Sequence, residues 1–154
     1  MVLRRRWRHC WRAAQSAALL VVSAILGSAG QSIRDGMCFD FLAVATGKSR
    51  VGLNRALNTS GLMSLFDSTR CADETFSKPH PAMLQEITRE LGQDMKRTVM
   101  IGDTTHDLQM ATNAGAAAIG VHYGAHPARE LEALSPLFGA DSVTSLHQWL
   151  TEHA

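Results

Sequence analysis

Ile101-Gly102-Asp103-Thr104-Thr105-His106-Asp107 is the stretch that decides the fold class of this 154-residue chain. The residues just before it, Thr98-Val99-Met100-Ile101, are nearly all apolar, as in a parallel strand buried on both faces. Gly102 and Asp103 end the run. A helical pattern then begins at about Thr104, with Leu108, Ala111 and Ala114 on one side and Gly115 as its stop. A buried strand that ends on an acid and turns directly into a helix is a βα unit of an open α/β sheet, whose ligands bind beyond the carboxyl ends of the strands. Asp107 lies four residues after Asp103, across the first helical turn, so both carboxylates face one site. A hard cation such as Mg²⁺ takes oxygen ligands of this kind. The plainer reading is a helix cap and a solvated first-turn acid, both favoured by the helix dipole.

The alternation continues in both directions. Upstream, Phe41-Leu42-Ala43-Val44-Ala45 reads as a buried strand ending at Thr46-Gly47, and Ser49 can cap a helix that stops at Gly61. Leu65 to Cys71 holds a second short strand. Pro79 and Pro81 open a helix carrying Met83, Leu84, Ile87 and Leu91, closed by Gly92. Downstream, a strand is expected over Ala116 to Val121, a helical turn or two over Glu130 to Leu134, a short strand near Ala140 and a last helix over Ser145 to Glu152. Short apolar strands separated by helices of about ten residues imply a parallel sheet covered on both faces, a three-layer Rossmann-like α/β architecture.

Two more segments offer chemistry. Thr46-Gly47-Lys48-Ser49 follows a strand, so the Thr46 hydroxyl and the amides around Gly47 can grip a phosphate; the bland reading is a strand end and a helix cap. It is not a P-loop, since position 42 is Leu where that motif needs Gly. Ser77-Lys78-Pro79-His80-Pro81 places a lysine ahead of a proline-opened helix, able to neutralise phosphate or a carboxylate, or simply to be a surface lysine. His106 and His126 fall near these segments but read as ordinary loop histidines, and His122 as a packing residue or an adjuster of substrate contacts.

Taken in order, these pieces resemble the haloacid dehalogenase superfamily, in particular its phosphoglycolate phosphatase-like branch, over about residues 39–152. Leu42 to Ser49 is similar to the second motif, Ser77-Lys78-Pro79 to the third and Ile101 to Asp107 to the fourth; Gly120-Val121-His122-Tyr123-Gly124 also fits that branch. The resemblance implies a Mg²⁺-dependent phosphomonoesterase acting on a small phosphorylated metabolite. Thr46 and Gly47 would bind phosphate, Lys78 would stabilise charge, Asp103 would bind Mg²⁺, and Asp107 would support the metal shell or Lys78. In a complete relative an aspartate oxygen attacks phosphorus, the alcohol departs, and water hydrolyses the aspartyl-phosphate.

The motif that supplies this nucleophile, Asp-x-Asp at the end of the first strand, occurs nowhere in the chain. Asp35 and Asp40 are the only acids before Thr46, and Asp40 stands at the wrong end of its strand. Fewer than 45 residues are left there for a mobile cap. The sheet is therefore expected to be incomplete at its first strand, which belongs between the strands ending at Thr46 and Asp103. The apolar run Leu19-Leu20-Val21-Val22 is a candidate to fill that slot without bringing a carboxylate. Weak or absent turnover is expected, with a non-catalytic phosphate- or metal-binding regulatory protein as the alternative.

Residues 1–38 form an atypical basic and apolar segment ahead of a core at 39–154. Arg4, Arg5, Arg6, Arg8 and Arg12 precede the apolar stretch Ala17 to Leu26 and the small residues 27–30. This has the outline of an export signal. Other readings are an amphipathic or buried helix and a foreign segment from a displaced start; contact of residues 1–30 with an anionic membrane is the weakest. Without those arginines the body holds ten basic and fourteen acidic residues, which argues against nucleic acid as a partner. Three unpatterned cysteines suggest neither a zinc site nor a disulfide framework and suit the reducing cytoplasm.

Overall fold

The computed structural model describes residues 19–22 and 41–153. The strands are β1 (Leu19–Val22), β2 (Phe41–Thr46), β3 (Ser68–Cys71), β4 (Thr98–Gly102), β5 (Ala117–Val121) and β6 (Phe138–Ala140). The helices are α1 (Arg50–Ser60), α2 (Ala82–Glu90), α3 (Thr105–Ala114), α4 (Ala128–Glu132) and α5 (Val143–His153). All strand pairs are parallel, in the order β3-β2-β1-β4-β5-β6.

The slot between the strands ending at Thr46 and Asp103 is filled. Leu19 to Val22 pair with Phe41 to Val44 on one side and with Thr98 to Ile101 on the other. Backbone hydrogen bonding explains why the position demands a strand: β2 and β4 would otherwise each bury an unpaired edge. Ser23 and Ala24 follow in the sequence, so the strand brings pairing but no carboxylate. Leu19–Val22 form a strand, so the helix reading of the N-terminal segment does not hold for them; the rest of that segment, with its export and membrane readings and with Asp35 and Asp40, falls outside the described residues.

Alternation along each strand sends its side chains to opposite layers. Leu42, Val99, Ile101, Ile119 and Val121 point to one face, where Leu146 and Leu150 of α5 cover them. Val44 joins Leu53 and Leu57 of α1 in an adjoining cluster. Ala43, Ala45 and Met100 point to the other face, under Met83, Leu84 and Ile87 of α2 and Met110 and Ala111 of α3. The small alanines of β2 let the bulkier α2 side chains come close. Each fully buried Leu, Ile or Met contributes up to about 1.5–3 kcal/mol.

Local chemistry sets the helix ends. The Ser49 side chain accepts from the Gly52 N–H, and Gly61 closes α1 in the left-handed conformation at φ 69°. Gly115 does the same for α3 at φ 80°. Pro81 stands at the cap of α2 and Pro127 at the cap of α4. Among the described residues no helix is long and apolar enough to cross a membrane.

Candidate functional site

The carboxyl ends of β2 and β4 flank β1, and the polar residues gather there. Val22 is level with Val44 and Ile101. Thr46 and Asp103 each lie two residues further along, one on either side of the β1 line, roughly 10 Å apart given the spacing of adjacent strands. Thr46 is buried at 1% exposure. Its Oγ1 accepts from the Lys48 N–H at 3.2 Å, which leaves the hydroxyl proton to donate to a ligand. Gly47 is exposed directly after it.

Lys78 reaches this edge from the loop ahead of α2. His80 N–H donates to the Ser77 carbonyl at 3.1 Å, Ala82 N–H donates to His80 Nδ1 at 3.2 Å, and Asn113 of α3 donates to the Pro79 carbonyl at 2.9 Å. The turn is thus held from both sides. Lys78 Nζ lies 2.5 Å from Asp107 Oδ1, with side-chain exposures of 10% and 1%. A pair this buried is held by its partners' hydrogen bonds as much as by charge. The other Asp107 oxygen, Oδ2, accepts from Thr104 N–H at 3.1 Å and from its hydroxyl at 2.8 Å. Thr104 accepts in return from the Asp107 N–H, completing a capping box at the start of α3. Gly102 permits this approach, because a Cβ there would fall 2.1 Å from Asp107 Cβ.

Both oxygens of Asp107 are therefore engaged. Of the two roles the resemblance allowed it, the geometry favours holding Lys78. Asp103 is different. Its Oδ2 accepts from the Ala125 N–H at 3.0 Å, and among the described residues nothing bonds Oδ1. Across from it, the Tyr123 phenol is pushed up in pKa, first by burial and then by the negative charge of Asp103.

The loop after β5 fell near the site in the sequence, but its contacts to Asp103 and Thr105 did not follow from it. Gly124 lies so close to Asp103 that a Cβ would meet Asp103 Cβ at 2.1 Å and Oδ2 at 2.6 Å. His126 N–H donates to the Asp103 carbonyl at 3.1 Å. His126 Nδ1 accepts from the Thr105 N–H at 3.2 Å, and its ring meets that of His106 edge-on at 5.9 Å between centroids. Gly124 and His126 were the signals available, a glycine two residues before a histidine in a loop facing an acid. His122 stands apart, between Asp141 at 2.7 Å and Glu132 at 3.1 Å, and ties α4 to the end of β6.

Among the described residues no group of three or more His, Cys, Asp or Glu side chains is arranged to hold a metal ion. Among the described residues at this edge, Asp103 keeps one carboxylate oxygen, Oδ1, without a hydrogen bond, whereas both oxygens of Asp107 are engaged. That fits Mg²⁺ in a limited sense, since this ion keeps several waters and often takes one or two carboxylates with a substrate phosphate. It does not make an all-protein cage.

A curated relative from Dickeya dadantii, "Probable phosphatase IndB", is 43% identical over 106 residues, covering 68% of this chain and 46% of its own length. "Pyrophosphatase PpaX" of Bacillus velezensis is 29% identical over 106 residues, covering 68% of this chain and 49% of its own length. The chain thus spans about half the length of these curated relatives. A solved hydrolase of Deinococcus radiodurans, described with bound phosphate and sodium, superposes with a TM-score of 0.70 at 23% identity, covering 81% of this chain and 57% of the other; at that identity it shows the fold. The family signature described as haloacid dehalogenase-like hydrolase matches residues 41–121, and with the parallel sheet and the residues at its carboxyl edge it establishes that this chain belongs to the haloacid dehalogenase-like hydrolase family.

Proposed function

We propose that the chain is a phosphatase-type domain that keeps the binding and electrostatic half of its family's chemistry without the covalent half. It binds the phosphoryl group of a small phosphorylated metabolite together with Mg²⁺, and its 154 residues alone do not turn over phosphomonoesters efficiently. The observation that carries the reading is the buried Lys78–Asp107 pair at the strand ends that also bear Thr46 and Asp103. A cation held by a carboxylate buried among helix-capping bonds is pre-positioned, which is how charge is stabilised without reorganisation. Thr46 and the amides near Gly47 bind phosphate, Lys78 neutralises it, and Asp103 takes the cation. Bound Mg²⁺ would supply Lewis-acid stabilisation of phosphoryl charge.

Support also comes from the relatives, one named a probable phosphatase and another a pyrophosphatase, and from the fold neighbour described with phosphate. The buried free thiol of Cys71 suits a reducing, cytoplasmic setting. A purely regulatory phosphate- or metal-binding role is the second reading, favoured by the absence of any Asp-x-Asp pair from the sequence.

Mg²⁺-dependent hydrolysis of an aryl phosphate by the purified chain, with Asp103→Asn as control, tests the proposal. The expected rate does not exceed that of the control. Hydrolysis that disappears in the control, with an aspartyl-phosphate trapped during turnover, would show that another carboxylate serves as nucleophile.

A further inference from the structure

Residues 124–126 clasp residues 103–105 at four points. Gly124 has no side chain where one would strike Asp103. Ala125 N–H holds Asp103 Oδ2, His126 N–H holds the Asp103 carbonyl, and Thr105 N–H is held by His126 Nδ1. Thr105 is the first residue of α3, so its N–H has no acceptor within the helix. The imidazole thus caps a helix from a loop 21 residues away in sequence. A backbone N–H can only donate, so Nδ1 is the acceptor and the ring's proton sits on Nε2. The Thr105 hydroxyl lies 3.3 Å from the same nitrogen and reinforces that arrangement.

Without the imidazole bond, the loop's remaining hydrogen bonds to this edge, among the described residues, would be the two its amides donate to Asp103, and the Thr105 N–H would lose its partner. The carboxylate would then keep its Oδ2 bond only as well as the loop keeps its place. We infer that His126 is a positioning residue for Asp103: its Nδ1 bond to Thr105 fixes the loop that pins Oδ2, and so turns Oδ1 toward the cation. The inference rests on the reading of Asp103 as the cation-binding carboxylate. Groups that orient metal ligands in this way typically change metal affinity by about 10- to 100-fold when removed.

The test is Mn²⁺ binding to the full chain in the presence of inorganic phosphate, followed by electron paramagnetic resonance, with metal-free thermal unfolding measured beside it. His126→Ala is expected to bind Mn²⁺ about tenfold more weakly. His126→Asn, whose amide oxygen occupies the place of Nδ1, is expected to stay close to wild type. Asp103→Asn is expected to lose binding. An unchanged affinity in His126→Ala, or equal weakening in the alanine and asparagine variants, overturns the positioning role while leaving the cation site intact. A loss in His126→Ala that only mirrors a drop in its unfolding temperature overturns it as well. Absent Mn²⁺ binding in wild type, or binding that Asp103→Asn leaves unchanged, overturns the site reading and this inference with it.

Discussion

At Asp107, whose side chain is 1% exposed, one carboxylate oxygen meets Lys78 and the other accepts twice from Thr104. Removing the lysine charge leaves a buried carboxylate with only the Thr104 donors, and breaking a buried pair in this way costs about 3–5 kcal/mol. Lys78→Met is expected to lower unfolding stability by that amount, measured as a shift of the urea midpoint at constant slope; a change below about 1 kcal/mol, the range of exposed pairs, would mean that the pair is well solvated. At this scale the placement of Thr46, Lys78, Asp103 and Asp107 was legible from the sequence: Thr46 and Asp103 end apolar runs, Lys78 stands beside a helix-opening proline, and Asp107 falls in the first helical turn after Asp103. Ala125 was not, and His126, though near the site, read as an ordinary loop histidine. Their contacts to Asp103 and Thr105 span 21 to 23 residues, and two of them use the loop's own main-chain amides, which any residue but proline carries.

Helix boundaries were legible where a cap residue marked them, as at Ser49, Gly61 and Gly115. They were less so at α4 and α5, where the structure begins each helix two residues before the expected start. Pro127 and the Ser142–Ser145 turn provide the early start, and both are weaker punctuation than glycine. At the β3 edge, charge does what apolar burial does elsewhere. Arg50 of α1 bonds Glu74, and Arg70 of β3 bonds Glu86 and Glu90 of α2. The Arg50 bond holds Glu74 below the usual carboxylate range, and the Ser68 hydroxyl, then Arg70, does so for Glu90. A depressed carboxylate pKa stabilises the fold above the unfolded-state value, and that contribution is lost as pH falls through the folded-state value. Stability is therefore expected to fall on acidification through the ordinary glutamate range and below it. Both side chains are a third or more exposed, so solvent limits each to about 1 kcal/mol or less. Urea midpoints taken from neutral to acid pH should fall less steeply in Glu74→Gln/Glu90→Gln than in wild type; parallel curves would assign the acid sensitivity to other groups.

For the molecule as a whole, the alternation of apolar runs with capped helices made the three-layer parallel sheet readable from residue 39 onward. The centre of that sheet was harder to read. Four apolar residues, Leu19 to Val22, give no periodicity that separates strand from helix, and their place follows from what β2 and β4 require on their facing edges. The sheet is whole in its backbone, yet no acid follows its middle strand within two residues. The proposed function is that an edge built this way binds without reacting. Isothermal titration of inorganic phosphate into the full chain with Mg²⁺ present tests that claim most directly. Saturable binding that needs Mg²⁺ and disappears in Asp103→Asn is the predicted result. Absence of phosphate binding, or binding that neither Mg²⁺ nor Asp103 affects, would contradict it.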